Sequence, residues 1–279
     1  MARDVYLLTD FGDSPYTGIL RALARNIMGG EGSVIDLDHS IPSFKILAGA
    51  YVLANTYYWT PRGSVIVAVV DPGVGGPREA IAVEAGDYIL VGPNNGLLYP
   101  VISKEGAKRI VELDMEKVVA AAQERFRGKL PQGRWPLSHT FHARDVFLPA
   151  GALIAVGVDM EELGAPMERD RLKRLVIDYV EKVEGGFKAR VVYIDKFGNI
   201  ALSAKPGLLP IYQWRRVYIQ TQTEQHAAMV GRKFSDVRPG QLVLYVNSFG
   251  HIELAVNQGN AARKLGVEIG DTIVLAPIE

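Results

Sequence analysis

Two aspartates stand where an α/β sheet presents groups to a ligand. Asp10 closes the apolar run VYLLT (5–9) and opens TDFGDSPYTG; Asp71 closes SVIVAVVD (64–71) and opens VVDPGVGGPR. Open α/β sheets bind ligands outside the carboxyl ends of their strands, although Asp is also an ordinary turn residue at that point. The GVGG run lacks the G-x-G-x-x-G order and Pro77 obstructs a helix there, so no dinucleotide cofactor site is expected. VGPNNGLLYP (91–100) sets Asn94, Asn95 and Gly96 after a further strand, either as a tight turn or as amides lining a polar pocket. HTFHARDVFLPA (139–150) gathers His139, His142, Arg144 and Asp145. His142 has the chemistry of a base or a metal ligand, and equally of a capping or core histidine. His139 and His142 at i, i+3 signal a metal only weakly, since zinc needs a third ligand and HExxH is absent.

The last third holds a second group. YIDKFGN (193–199) puts Asp195, Phe197 and Asn199 at the end of a strand, and NSFGHIELAVNQGNAA (247–262) adds Asn247, Ser248, Asn257 and Gln258. An aromatic face beside amides suits a purine, which needs a stacking surface and donors and acceptors for its ring edges. Two hairpins with ordinary turn residues account for the same letters.

The elements that must position these residues follow from periodicity. After VYLLT, Ile19, Leu20, Leu23 and Ile27 recur at helical spacing until Gly29-Gly30, and VIDL (34–37) reads as a second strand. Phe44, Leu47, Tyr51, Val52, Asn55 and Tyr58 share a face of a helix that ends before Pro61. SVIVAVVD has the continuous apolar character of a strand buried on both faces. Further strands are expected at 80–84 and 88–92 and a helix around 145–157, while GKLPQGRWPLS (128–138) reads as a loop. Beyond about residue 178, strands at 187–195, 216–222, 241–247, 251–257 and 271–277 follow one another with almost no long helix between, and NSFG (247–250) is a hairpin turn. The expected fold is an α/β N-terminal domain with a mainly parallel sheet (1–177), followed by a smaller antiparallel β-barrel-like domain (178–279).

Composition narrows the function. The 279 residues are 48% hydrophobic and 22% charged, typical of a folded globular chain, with 31 basic against 31 acidic residues. A zero balance argues against a general nucleic-acid binder. The absence of cysteine excludes disulfides, thiolate metal sites and Cys nucleophiles. The opening MARDVYLLTD has too short an apolar run for a signal peptide, and no stretch approaches the roughly 20 apolar residues of a membrane span. A soluble, cytoplasmic protein is expected.

In order along the chain, LLTDFGDSPYTG, HSIP (39–42), VVDPGVGGPR, VGPNNGLL, TFHARD, YIDKFGN and VNSFGHIELAVNQGNAA resemble the S-adenosyl-L-methionine hydroxide adenosyltransferases, relatives of enzymes that attack the same substrate with fluoride or chloride. The resemblance implies hydrolysis of S-adenosyl-L-methionine to adenosine and methionine without cofactor or metal, in a homotrimer whose substrate lies between one subunit's N-domain and its neighbour's C-domain. It implies Asp71, Arg78 and His142 as the water-activating set that separates the hydroxide branch from the halide branch. By the same resemblance Asp10 meets the ribose hydroxyls, Phe44 is a pocket aromatic, Asn95 belongs to the N-domain ligand set, Asp195 pairs with the methionine ammonium, Ser248 meets its carboxylate, and Phe197 and Asn199 flank the adenine beside backbone groups near Asn257. Two departures stand out: the loop after Asp10 is one residue shorter than the common TDFGxxDPY form, and Phe249 stands where the halide enzymes carry Arg. The readings that compete are a metal-dependent phosphoesterase using Asp10, Asp71, His139 and His142, and a sensor that binds adenosine or S-adenosyl-L-methionine without turnover.

Overall fold

A computed structural model describes residues 2–130 and 135–278; residues 131–134 of the expected 128–138 loop lie outside the described residues. The chain forms two compact units, Met1–Leu175 and Val176–Glu279.

The first unit is built on a seven-stranded sheet of β1 (Val5–Thr9), β2 (Val34–Asp38), β3 (Val65–Val69), β4 (Ala80–Ala85), β5 (Tyr88–Pro93), β6 (Ala107–Leu113) and β7 (Gly164–Pro166), in the order β2-β1-β3-β5-β4-β6-β7. The first four strands in that order run parallel and the remainder pair antiparallel. Strands β1, β3 and β5 are the apolar runs VYLLT, VIVAV and YILVGP, and every residue in them is buried. Thr9 lies opposite Val69 across the β1–β3 ladder, so Asp10 and Asp71 leave neighbouring strand ends.

Helices α1 (Pro15–Ile27), α2 (Ile46–Thr56), α3 (Tyr99–Glu105), α4 (Met115–Arg125) and α5 (Leu148–Ala155) complete the unit. In α1 the buried positions are Thr17, Leu20, Ala24 and Ile27, while Ile19 is exposed. At 100° per residue, the face centred on Leu20 and Ala24 leaves Ile19 outside it. Phe44 is not helical: α2 begins at Ile46, and Phe44 precedes it with φ +66°. The helix expected around 145–157 is α5, entered through a π-helical turn at Ala143–Phe147. Its close seat on the sheet needs Gly151, where a Cβ would lie 2.4 Å from Val67 Cγ2.

In the second unit β9 (Gly186–Ile194), β10 (Ile200–Leu202), β11 (Arg216–Gln220), β12 (Gln225–Val230), β13 (Leu242–Val246), β14 (Ile252–Val256) and β15 (Thr272–Pro277) form a closed barrel, with β8 (Val180–Val183) added beside β9. Pairing of β9 with β10 closes the ring, and only β12 and β13 run parallel. Closure removes the open edges that a sheet of this size would otherwise expose. Alternation sends Ile200, Leu244, Ile252 and Leu254 into the core and their neighbours to the outer face.

Candidate active site

Three side chains from distant parts of the sequence form one hydrogen-bonded chain in the first unit. Asp71 follows β3, Arg78 lies on the loop leading to β4, and His142 precedes the π-helical turn. Arg78 donates to Asp71 Oδ2 from Nε (3.0 Å) and Nη2 (2.5 Å), and its Nη2 lies 2.9 Å from His142 Nδ1. The Asp71 and Arg78 side chains are only 5% and 12% exposed. A guanidinium has donors only, so His142 Nδ1 must accept, which puts the imidazole in the neutral tautomer with its proton on Nε2. Burial, reinforced by the Arg78 charge, holds the His142 pKa below the ordinary histidine value, against the opposing pull of Asp71 and Asp145. The two loops meet at Gly75, where a Cβ would come within 2.4 Å of the His139 carbonyl oxygen; its φ of +77° also favours glycine.

Asp10, Phe44, Asp71 and His142 line one cavity of about 510 Å³, together with Phe11, Tyr16, Ser43, Val69, Val74, Ser138 and residues 140–144. Phe44 holds a left-handed backbone that a non-glycine residue rarely adopts. That conformation accompanies a hydrogen bond from its amide to Asp10 Oδ2 (2.9 Å), and its ring is 71% exposed. Burial pushes the Asp10 pKa up, the Phe44 amide offsets part of the rise, and the Asp71 charge adds to it. The HSIP segment ties down the same turn: the His39 carbonyl accepts from the Gly12 amide (2.7 Å), and His39 Nδ1 meets Thr9 Oγ1 (2.7 Å).

One lining feature escapes a reading of isolated motifs. Phe11, Tyr16 and Phe141 form an edge-to-face cluster with centroids 5.1–6.1 Å apart. The signal was adjacency: Phe11 follows Asp10 and Phe141 precedes His142. Asn95 is half-buried at the end of β5, and its side chain bonds the backbone. Its Nδ2 donates to the Val70 carbonyl (2.8 Å) and its Oδ1 accepts from the Leu97 amide (3.1 Å), so it braces the end of β3 just before Asp71. Asn94 is buried and holds Glu79, Arg171 and Lys173. His139 is exposed, and among the described residues no three His, Asp or Glu side chains converge as a metal site.

In the second unit Asp195 organises its own turn. It accepts from the amides of Phe197 and Asn199 and from Asn199 Nδ2, each at 2.9 Å. The Phe197 ring is thereby presented at 63% exposure while Asn199 is buried. Ser248 is exposed at the β13–β14 turn, whose Asn247 Oδ1 accepts from the amides of Phe249 and His251. Asn257 donates to the Val237 carbonyl (2.7 Å). Sequence reading missed Glu253, a carboxylate in the otherwise apolar strand β14; a charge interrupting that apolar run was the available sign.

The fold of this chain is shared with solved structures. It is similar to an uncharacterized conserved protein from Thermotoga maritima (TM-score 0.81, 28% identity, 98% of this chain and 99% of the other). Residues 5–164 match the SAM hydroxide adenosyltransferase N-terminal domain and residues 189–274 the C-terminal domain of the same family. The chain belongs to the S-adenosyl-L-methionine hydroxide adenosyltransferase family. Relatives include proteins named (R)-S-adenosyl-L-methionine hydrolase from Salinispora tropica (39% identity; 86% of this chain, 85% of the relative) and Thermus thermophilus (35%; 96% and 97%). A fluorinase from an Actinoplanes species is more distant, at 24% identity over 87% of each chain.

Proposed function

We propose that this protein hydrolyses S-adenosyl-L-methionine to adenosine and L-methionine by attack of water on the ribose C5′. The observation that carries the reading is the Asp71–Arg78–His142 chain beside the cavity. A water oxygen forms the new bond to C5′, the C5′–sulfur bond breaks with its electrons going to sulfur, and one proton leaves. Methionine departs as a neutral thioether, so the reaction needs no acid for the leaving group and no metal or cofactor. Water is a weak nucleophile, and a base that assists proton removal lowers the barrier. Because Arg78 occupies Nδ1 of His142 and the proton sits on Nε2, Asp71 is the proton acceptor we favour. Arg78 and the Nε2–H of His142 then steady the developing oxyanion. Asp10 receives the ribose hydroxyls, with Phe44 at the mouth and Asn95 as a brace. Phe197, Asn199 and Asn257 serve the adenine, and Asp195 and Ser248 the methionine end. The proposed enzyme is a cytoplasmic homotrimer with active sites shared between subunits, and light scattering of active protein should return three times the 30.5 kDa chain mass; a competent monomer contradicts that assembly.

Incubation with S-adenosyl-L-methionine in oxygen-18 water tests the chemistry. The label should appear in the 5′ hydroxyl of adenosine; unlabelled adenosine, or no adenosine, removes the reading.

The pH dependence follows from His142. Its Nδ1 can accept from Arg78 only while the imidazole is neutral, so turnover should fall as pH drops through the folded-state pKa. That value lies below the ordinary 6.5, and the acid limb of the rate profile should therefore lie below pH 6.5. Stability has the same sign: the unfolded chain binds the His142 proton more readily. This contribution is present above pH 6.5 and is lost as pH falls from 6.5 through the folded pKa. An acid limb above pH 6.5, abolished by His142→Ala, contradicts the assignment.

A further inference from the structure

The loop that delivers His142 is fastened by an ion pair that the proposed mechanism does not use. The Asp145 side chain is 0% exposed and that of Arg144, its partner, 23%. Arg144 donates to Asp145 Oδ1 from Nε (2.5 Å) and to Oδ2 from Nη2 (2.9 Å). Both residues also reach back across the loop. The Ser138 amide donates to Asp145 Oδ2 (2.7 Å), and Arg144 Nη2 donates to the Pro136 carbonyl (2.6 Å). At the other end, the Arg144 guanidinium lies over the Phe141 ring, 5.0 Å from its centroid. The Phe141 carbonyl accepts from the amides of Arg144 and Asp145, each at 3.1 Å. Residues 136–141 are thereby clasped at both ends to the π-helical turn that follows His142. The same segment meets the loop between Asp71 and Arg78, where Gly75 packs against the His139 carbonyl.

We propose that Asp145, through its clasp with Arg144, is a positioning residue that holds His142 on Arg78. The proposal rests on the reading that His142 belongs to the water-activating set. A carboxylate with no exposed surface does not touch substrate, so its effect on catalysis passes through its neighbours. A buried ion pair is weak evidence for stability, since apolar residues of similar volume often pack as well or better. What this pair supplies is direction: its bonds run to fixed points on either side of His142. That matters because Arg78 Nη2 and His142 Nδ1 meet at 2.9 Å, and a misplacement of about 1 Å can cost roughly 10²-fold in rate. The clasp also acts by charge. The groups that face His142 are Arg78 and Asp71 from the loop after β3, His139 from its own loop and Asp145 from the turn. Asp145 favours the protonated ring, against burial and Arg78. Neutralising it therefore lowers the His142 pKa further, and the Arg144 cation left behind acts in the same direction.

Asp145→Asn keeps the shape and an acceptor for the Ser138 amide while removing the charge. The measurements are kcat and KM on the plateau above the acid limb, where His142 is neutral, and NMR titration of the imidazole signal that His142→Ala removes. On the plateau we expect kcat to fall about tenfold or more with KM within about threefold of wild type. The acid limb and the His142 titration should both move about half a pH unit or more to lower pH. Arg144→Lys separates geometry from charge and carries the test if Asp145→Asn fails to fold. Its ammonium still compensates Asp145 but cannot reach Asp145 and Pro136 together. It should lower kcat about threefold or more while His142 titrates as in wild type. Wild-type kcat in either folded variant, or an unmoved His142 titration in Asp145→Asn, overturns the positioning role and leaves the hydrolase reading intact. Wild-type protein that turns over no S-adenosyl-L-methionine removes that reading, while the NMR titration still decides whether Asp145 acts on His142.

Discussion

Asp71→Asn should lower turnover by roughly 10²–10⁴-fold, the usual worth of acid–base assistance, while leaving the affinity for adenosine within a few-fold of wild type. Asparagine keeps the size of the side chain and still offers one oxygen to Arg78. What it loses is the negative charge that accepts the proton of the attacking water. Its amide would also set a donor against the Arg78 fork, which now gives Oδ2 two bonds of 3.0 and 2.5 Å. The affinity should hold because the ribose and adenine groups proposed here, Asp10 and the Phe197–Asn199 turn, are other side chains. Single-turnover kinetics beside an adenosine titration separate the two effects. A variant that retains turnover within tenfold of wild type would assign the proton elsewhere. A variant that loses both activity and adenosine binding would point to a collapsed site.

How far this arrangement could be read from sequence depends on the range of each interaction. Strands β1, β3 and β5 were legible because burial on both faces demands unbroken apolar runs, and each run ends in a polar turn where the sheet ends. The barrel was legible from its alternating strands, but its closure depends on β10, three residues long, and three residues carry no period. The short strands β7 and β8 were missed for the same reason. Helix α4 was also missed; its buried face is only Val118 and Ala122, capped by Asp114. The π-helical turn before α5 uses residues that an ordinary helix accepts, so nothing in ARDVF announces it. Family resemblance pointed to Asp71, Arg78 and His142, yet which atoms touch is a three-dimensional fact: Arg78 and His142 are separated by 64 positions and meet at 2.9 Å. Asn95 is a second case: that its side chain bonds the Val70 carbonyl and the Leu97 amide, beside Asp71, is a contact that the motif alone does not announce.

Arg78→Met should be the most damaging single change at the site, because it removes a charge from the middle of the chain. Methionine matches the length of the arginine stem and can keep contact with the Phe147 ring, over which the guanidinium now sits at 5.0 Å. It cannot donate, so Asp71, 5% exposed, is left without its cation and His142 Nδ1 without its donor. Breaking a buried ion pair from one side typically costs about 3–5 kcal/mol, because the remaining charge stays desolvated. Chemical denaturation should therefore show a loss of that order, and turnover should fall at least as far as in Asp71→Asn. Arg78→Lys should recover part of the stability but little of the activity: an ammonium is a point charge and lacks the planar fork that reaches Asp71 and His142 together. The double variant Asp71→Asn/Arg78→Met decides between electrostatics and packing. With no carboxylate left unpaired, it should be more stable than Arg78→Met alone although equally inactive. Additive destabilisation in the double variant would mean that the arginine stem, and not its charge, holds the loop.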